Sequence, residues 1–237
     1  MFAPITPTAG IQPLEDYFDA DTTQRHPLGF VVDAVDPYWG YGRFMYIKSN
    51  DAILKGSLVM WDGSYQGALL PTTAGQGFPF GVAYAPMASG KYGWIQIAGQ
   101  AVYKTNATVA ADTAVAVAAA GIVGTLANGK QLLGVRNLKS ATATVTGTAN
   151  TLTDSSKLFF PGGYDGFELG LALTGTGIPA STVVAKMLSD GKTILMGSAI
   201  GTVDKVATAT GSITATGTFT GYGVGMLNNP IAQGQVV

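Results

Sequence analysis

Reactive side chains are few in this 237-residue chain, and they are spaced for structure rather than for chemistry. There is one histidine, His26, and no cysteine. A nucleophilic triad or a zinc centre would therefore have to be built on a single imidazole. His26 precedes Pro27 and is expected to be a solvated or hydrogen-bonded loop residue. Glu15, Asp16, Asp19 and Asp21 form an acidic cluster that could hold Ca²⁺. EF-hand spacing is absent, however, and no bidentate glutamate closes the loop, so a solvated acidic turn is expected. Asp33, Asp36, Asp62 and Glu168 could supply a carboxylate pair for glycoside hydrolysis, but nothing in their spacing singles out two of them. Gly191-Lys192-Thr193 resembles the end of a phosphate-binding loop. Lys186 stands where that motif needs its first glycine, and the segment reads as a hairpin turn rather than a strand–helix junction. Gly75–Gly81 lacks dinucleotide-loop spacing, and Asn106-Ala107-Thr108 is a glycosylation sequon that matters only in a secreted chain. No catalytic residue, metal site or cofactor is expected, and the chain is not expected to be an enzyme.

The distinctive cluster is aromatic: Tyr38-Trp39-Gly40-Tyr41-Gly42-Arg43-Phe44-Met45-Tyr46. Tyrosine, tryptophan and arginine dominate interface hot spots, so Tyr38, Trp39, Tyr41 and Arg43 are candidates for a subunit interface. Stacking on sugars or bases is a second use of such residues, and packing in the core is a third.

Several elements must position these residues. Residues 1–27 read as an extended arm. Pro4, Pro7, Pro13 and Pro27 interrupt regular structure, while the apolar Phe2, Ile5, Ile11, Leu14, Tyr17 and Phe18 need a surface to cover. Phe2, Ile5, Leu14, Tyr17 and Phe18 join the interface candidates. Residues 28–138 read as an antiparallel β-barrel or sandwich. Its expected strands are 30–34, 44–48, 57–61, 67–70, 81–85, 92–98, 101–104, 114–118, 121–126 and 131–136. The strand through Trp94 is expected to be the most buried. Asp62-Gly63 and Asn128-Gly129 suit two-residue hairpins, and Gly99-Gln100 is expected to divide two strands. Val109–Ala120 is rich enough in alanine for a helix, but Val115 and Val117 alternate as in a strand. Residues 139–220 form a smaller Thr/Ala/Gly-rich β domain inserted near the C-terminus, its two alternating Thr/Ala stretches pairing at its base. Residues 221–237 turn apolar and are expected to return to the first domain. The fold class is all-β.

Composition bounds the partners. Only 11% of residues are charged and the net charge is −1, with lysines and arginines scattered singly, so no nucleic-acid footprint is expected. No apolar run is long enough to span a membrane, and the first residues lack a signal-peptide pattern. Synthesis in a cytoplasm is expected.

Three stretches carry a resemblance: Gly42-Arg-Phe-Met-Tyr-Ile-Lys48, Gly81-Val-Ala-Tyr-Ala85 and Tyr92-Gly-Trp-Ile-Gln-Ile-Ala-Gly99. Together they resemble small β-barrel proteins that decorate or cement the capsids of tailed bacteriophages. Leu173–Val184 followed by Asp190–Met196 is similar to a β module that recurs in phage virion proteins, including tail and fibre proteins. The resemblance implies a homotrimer on the capsid surface of a virion, made in the host cytoplasm, with the major capsid protein as partner. It implies no chemistry, no nucleic acid and no membrane. The barrel and arm would contact the shell while residues 139–220 project into solvent. A tail-tube or fibre component, or a carbohydrate-binding module using Trp39, Tyr41 and Trp94 as platforms, are the other readings.

Overall fold

The computed structural model describes residues 3–4, 21–36, 38–75, 77–106, 108–139, 144–151, 156–188, 190–208, 210–219 and 221–232. Among these the protein is all-β, with no helix. The strands are β1 (Ala3–Pro4), β2 (Val31–Asp36), β3 (Gly40–Ser49), β4 (Leu58–Trp61), β5 (Gln66–Leu69), β6 (Phe80–Ala83), β7 (Tyr92–Lys104), β8 (Val115–Ala119), β9 (Ile122–Thr125) and β10 (Leu132–Lys139). They continue with β11 (Thr144–Thr151), β12 (Lys157–Phe159), β13 (Ala172–Thr174), β14 (Thr182–Met187), β15 (Thr193–Gly197), β16 (Gly211–Thr218) and β17 (Tyr222–Ala232). The chain divides into two compact units. One comprises Asp19–Thr142 with Gly221–Val237, and the other is Ala143–Thr220.

In the larger unit the pairings β3–β5, β5–β4, β4–β6, β6–β7 and β7–β3 close a ring. Four of these pairings are antiparallel, but β3 and β5 run parallel, which an all-antiparallel barrel does not have. Alternation explains the interior. Met45 and Ile47 of β3, Val59 of β4, Ala83 of β6 and Ile95 of β7 form one buried cluster, with Leu69 of β5 packed against it. Directly paired residues point to the same face, so Met45 opposite Ile95 and Ala83 opposite Ile95 share the ring's inside. The opposite face of β4, β6 and β7 carries a second core. Leu58, Phe80, Val82, Ala101 and Tyr103 meet Val115, Val117, Val123, Leu132 and Leu227 from β8, β9, β10 and β17.

β7 is the spine of this unit. It is one strand of 13 residues, not two strands parted at Gly99-Gln100. Its first half closes the ring and its second half pairs with β17, from Tyr222↔Lys104 to Asn228↔Ala98. A register shift opposite Arg43 and Phe44 makes the bend between the halves. Gly99 sits there with φ 92°, and a Cβ at that position would collide with the Tyr41 carbonyl oxygen. The Gln96 amide braces the bend by donating to the carbonyls of Ala98 (3.1 Å) and Gln100 (2.9 Å).

The turns depart from the two-residue expectation. Between β4 and β5, Asp62 takes up the amides of Ser64 (2.8 Å) and Gln66 (2.9 Å) while Tyr65 adopts φ 57°. The loop is therefore built around an aspartate side chain rather than around Asp-Gly alone. Asn128-Gly129 joins β9 to β10, which pair with other strands, β8 and β17. The alanine-rich stretch contains a strand, Val115–Ala119.

In the smaller unit β11-β12-β15-β14-β13-β16 close into a six-stranded barrel. The two Thr/Ala strands β11 and β16 pair without interruption, from Thr144↔Thr218 to Thr151↔Gly211. Their inward positions, Val145, Ala149, Ile213 and Ala215, are buried, while the intervening threonines and Asn150 face outward on β11. Leu158, Phe160, Tyr164, Phe167, Leu171, Val184, Ile194 and Met196 supply the rest of the core.

A candidate interaction surface

The hairpin β2–β3 places the aromatic cluster. Asp36 ends β2, and its Oδ1 accepts the backbone N–H groups of Tyr38 and Trp39, each at 2.7 Å, which holds the turn. Proline after this aspartate and glycine after the aromatic pair are the residues such a turn calls for. The two rings then part ways. Trp39 is 3% exposed, whereas Tyr38 is 41% exposed and meets it edge-to-face at 4.8 Å. Lys139, at the end of β10, lies over both rings (5.1 Å to Tyr38, 5.5 Å to Trp39), and its Nζ donates to the Tyr38 hydroxyl at 3.0 Å.

Strand register does the rest. Asp33 faces Arg43, and Val35 faces Tyr41, across β2 and β3. All four project from the same face, and so does Val31. Arg43 clamps the Asp33 carboxylate with Nε (2.7 Å) and Nη2 (3.2 Å), and the Tyr41 hydroxyl donates to it at 2.5 Å. These bonds, Arg43 first and then Tyr41, hold the Asp33 carboxyl below the usual carboxylate range. The same carboxylate raises the Tyr41 phenol above its ordinary value. The pair is only partly buried and is screened by solvent, so its contribution to stability is at most about 1 kcal/mol. What it does is fix the ring of Tyr41, which remains 44% exposed.

This face continues across β7 and β17. Ala98 lies opposite Arg43, Gln100 opposite Met226, and Met226 opposite Arg136 of β10. Between the hairpin and these strands lies a cleft of about 510 Å³, lined by Trp39, Tyr41, Ala98, Gln100, Met226 and Asn228 among others. Arg136 pairs with Asp112 at 3.3 Å, so the charges flanking the cleft include two internal ion pairs. Val31, Val35, Tyr38, Tyr41 and Met226 are exposed apolar groups on this one side.

Of the residues singled out in the sequence, Tyr38, Trp39, Tyr41 and Arg43 thus come together, with Trp39 buried as the floor. Phe2, Ile5, Leu14, Tyr17 and Phe18 lie outside the described residues, as do Glu15, Asp16 and Asp19. Sequence reasoning missed Asp33 as the anchor of Tyr41 and Arg43, and it missed Lys139, Met226 and Asn228. The alternation of Asp33 and Val35 with Tyr41 and Arg43 could have revealed the first. Nothing local could have revealed the others, which arrive on β17 and on β10 paired beside it.

The remaining candidates have structural tasks. Asp21 is buried and ion-paired with Arg25 at 2.8 Å, so it is not part of a solvated turn. His26 is not solvated either: it lies among the rings of Phe30, Tyr46 and Trp94. Asp190 holds the β14–β15 hairpin by accepting the amides of Lys192 and Thr193, both at 2.8 Å, so Gly191-Lys192-Thr193 is a turn. Glu168 is buried within the smaller unit. Among the described residues no three acidic or histidine side chains gather as a metal site would require. No protein-family model, curated protein or solved structure matches the chain.

Proposed function

We propose that this protein is a structural component of a tailed-phage virion, a decoration or cement protein that binds the outside of the capsid. The observation that carries this reading is an exposed face of the larger unit, where Tyr41 and Met226 line a cleft and Tyr38 and Val35 stand exposed beside them. Exposed rings held in place before binding lose little side-chain freedom on contact, which favours adhesion. The resemblance of Gly42–Lys48, Gly81–Ala85 and Tyr92–Gly99 to capsid-decorating β-barrels supplies the partner, the major capsid protein. It also supplies the assembly, a homotrimer at the capsid surface, in which modest contacts repeated around the trimer add through effective concentration. Neither nucleic acid nor membrane is part of this function.

A carbohydrate-binding role draws little support from the rings. Trp39 and Trp94 are 3% and 2% exposed, so only Tyr41 of the three proposed platforms offers a face.

The test adds purified protein to capsids that lack it and follows co-sedimentation, with mass photometry reporting its oligomeric state. Wild-type protein is expected to be trimeric and to saturate the shells. Tyr41→Ala combined with Met226→Ala is expected to weaken binding at least tenfold, since central anchors of an interface contribute about 2 kcal/mol or more. Failure of the wild-type protein to bind any shell, or its assembly into tubes or fibres, would overturn the reading.

A further inference from the structure

The segment Asp21–Phe30, which leads into β2, is sewn to the barrel at both ends. Asp21 exchanges two backbone hydrogen bonds with Tyr92 of β7, at 3.0 and 3.1 Å. Gly29 donates to the Tyr46 carbonyl at 2.8 Å, and the Tyr46 amide donates to Phe30 at 2.9 Å. Between these points the contacts run through side chains. The Tyr46 hydroxyl donates to Asp21 Oδ2 (2.9 Å) and accepts the Arg25 amide (3.2 Å), while Arg25 Nε binds Asp21 Oδ1 at 2.8 Å. His26 is 9% exposed, its ring 5.1 Å from that of Tyr46, 5.4 Å from Trp94 and 5.9 Å from Phe30.

Among the described residues, the charged and titratable groups near this imidazole are Asp21 and Arg25 on its own segment and Tyr46 on β3, with Tyr92 of β7 behind Tyr46. Tyr92 stacks on Tyr46 at 6.2 Å and carries the Lys48 ammonium 5.9 Å from its ring. Asp21 favours an imidazolium, but its carboxylate is already engaged by Arg25 and Tyr46. Burial is the larger influence and opposes charge, as does Arg25, so the ring takes up a proton less readily than an ordinary histidine.

We propose that Asp21–Phe30 is an acid-released latch: the neutral ring of His26 keeps the segment seated on Tyr46, Tyr92 and Trp94, and protonation unseats it while the barrel stays folded. The sign follows from linkage. A histidine whose seated form resists protonation gains its proton preferentially when the segment is open. The seated state is therefore fully favoured above the free-histidine value of 6.5 and loses ground as pH falls below it. The open population rises by at most about tenfold per pH unit and levels off below the lowered value. This behaviour belongs to the segment itself, whatever the exposed face around Tyr41 binds.

Hydrogen exchange by NMR on the full-length protein tests it, with rates corrected for their intrinsic pH dependence, between about pH 7.5 and about pH 5. The amides of Gly29, Tyr46 and Tyr92 are expected to lose protection progressively below the free-histidine value, while those of Val59 and Ile95 inside the barrel do not change. His26→Phe, which keeps the aromatic packing, is expected to abolish the pH dependence. An acid response that persists in His26→Phe, its absence from the wild-type protein, or loss of barrel protection in step with the latch would overturn the proposal. His26 is the sole histidine, so its own ring titration in the wild-type protein gives an answer even if the variant does not fold. A value at or above the free-histidine one would refute the latch.

Discussion

Asn137 shows how much of this fold can rest on one polar side chain. It is 1% exposed, accepts the hydroxyl proton of Tyr103, and donates to the carbonyls of Val109 (3.1 Å) and Ala110 (2.7 Å). Its backbone also exchanges hydrogen bonds with Asp112 and Thr113 (2.7 and 3.1 Å), so one residue of β10 clasps the loop before β8. Asn137→Ala would strand a buried phenol, whose pKa burial already raises, together with two carbonyls. The expected loss is about 3 kcal/mol, read as a lower urea midpoint with unchanged slope. Gly225 is constrained by the same ring. A Cβ there would run into Tyr103, so Gly225→Ala is expected to cost about 1–3 kcal/mol in the same assay. Arg43→Ala, by contrast, should change stability by less than about 1 kcal/mol, because both side chains of the pair are only partly buried and are screened by solvent. If the proposed function holds, its effect is expected in shell binding, because Tyr41 loses a neighbour that holds its hydroxyl's acceptor in place. Residue type made Tyr38, Tyr41 and Arg43 interface candidates, and the structure gathers them around one hairpin. The burial of Trp39 and His26 was not, because a loop's own residues do not say which face of the barrel they will be laid against.

β7 is the element on which the larger unit turns. A strand that must close a ring with β3 and β6 and then leave to pair with β17 has to bend, and the register shift with Gly99 provides the bend. Gly99→Ala meets both a left-handed backbone and the Tyr41 carbonyl. It is expected to cost more than the about 1 kcal/mol of an ordinary glycine replacement and to distort the cleft between Tyr41 and Met226. Chemical-shift changes in Tyr41, Gln100 and Asn228 would report the distortion, and unaltered shifts there would show that the bulge does not shape the cleft. The alternation around Trp94 was plain in the residues. That the strand continues past Gly99 was not, since glycine reads equally well as a turn or as a bulge, and only a partner strand distinguishes them.

At the scale of the molecule, the connections of the two units give a test. Lys139 of β10 and Val224 of β17 are register partners, so the chain leaves and re-enters the larger unit at adjoining points, roughly 5 Å apart. Thr144 and Thr218 are likewise paired at the mouth of the smaller barrel. Replacing residues 143–220 by a short Gly/Ser turn is expected to leave the larger unit folded, and 143–220 alone is expected to fold as a closed barrel. Each fragment should give a dispersed NMR spectrum and its own cooperative melt. A fragment that remains unfolded would show that the units depend on each other. Truncations at the N-terminus should stop before Asp21, because Asp21–Phe30 is bonded to β3 and β7.

By itself the sequence determined the class and most of the strands. Period-two alternation, β-branched residues and Gly/Asp punctuation are local signals that hold wherever the strand is placed. The tertiary structure alone decided that β3 and β5 pair in parallel, that β7 bends instead of ending, and that His26 and Trp39 are inside, whereas the burial of the strand through Trp94 was already legible. It also decided that Asp33, Lys139 and Met226 join the exposed face around Tyr41. Those facts depend on which strands become neighbours across long stretches of chain. Pairing partners are chosen by the burial of whole faces at once, a property that no single stretch of residues carries.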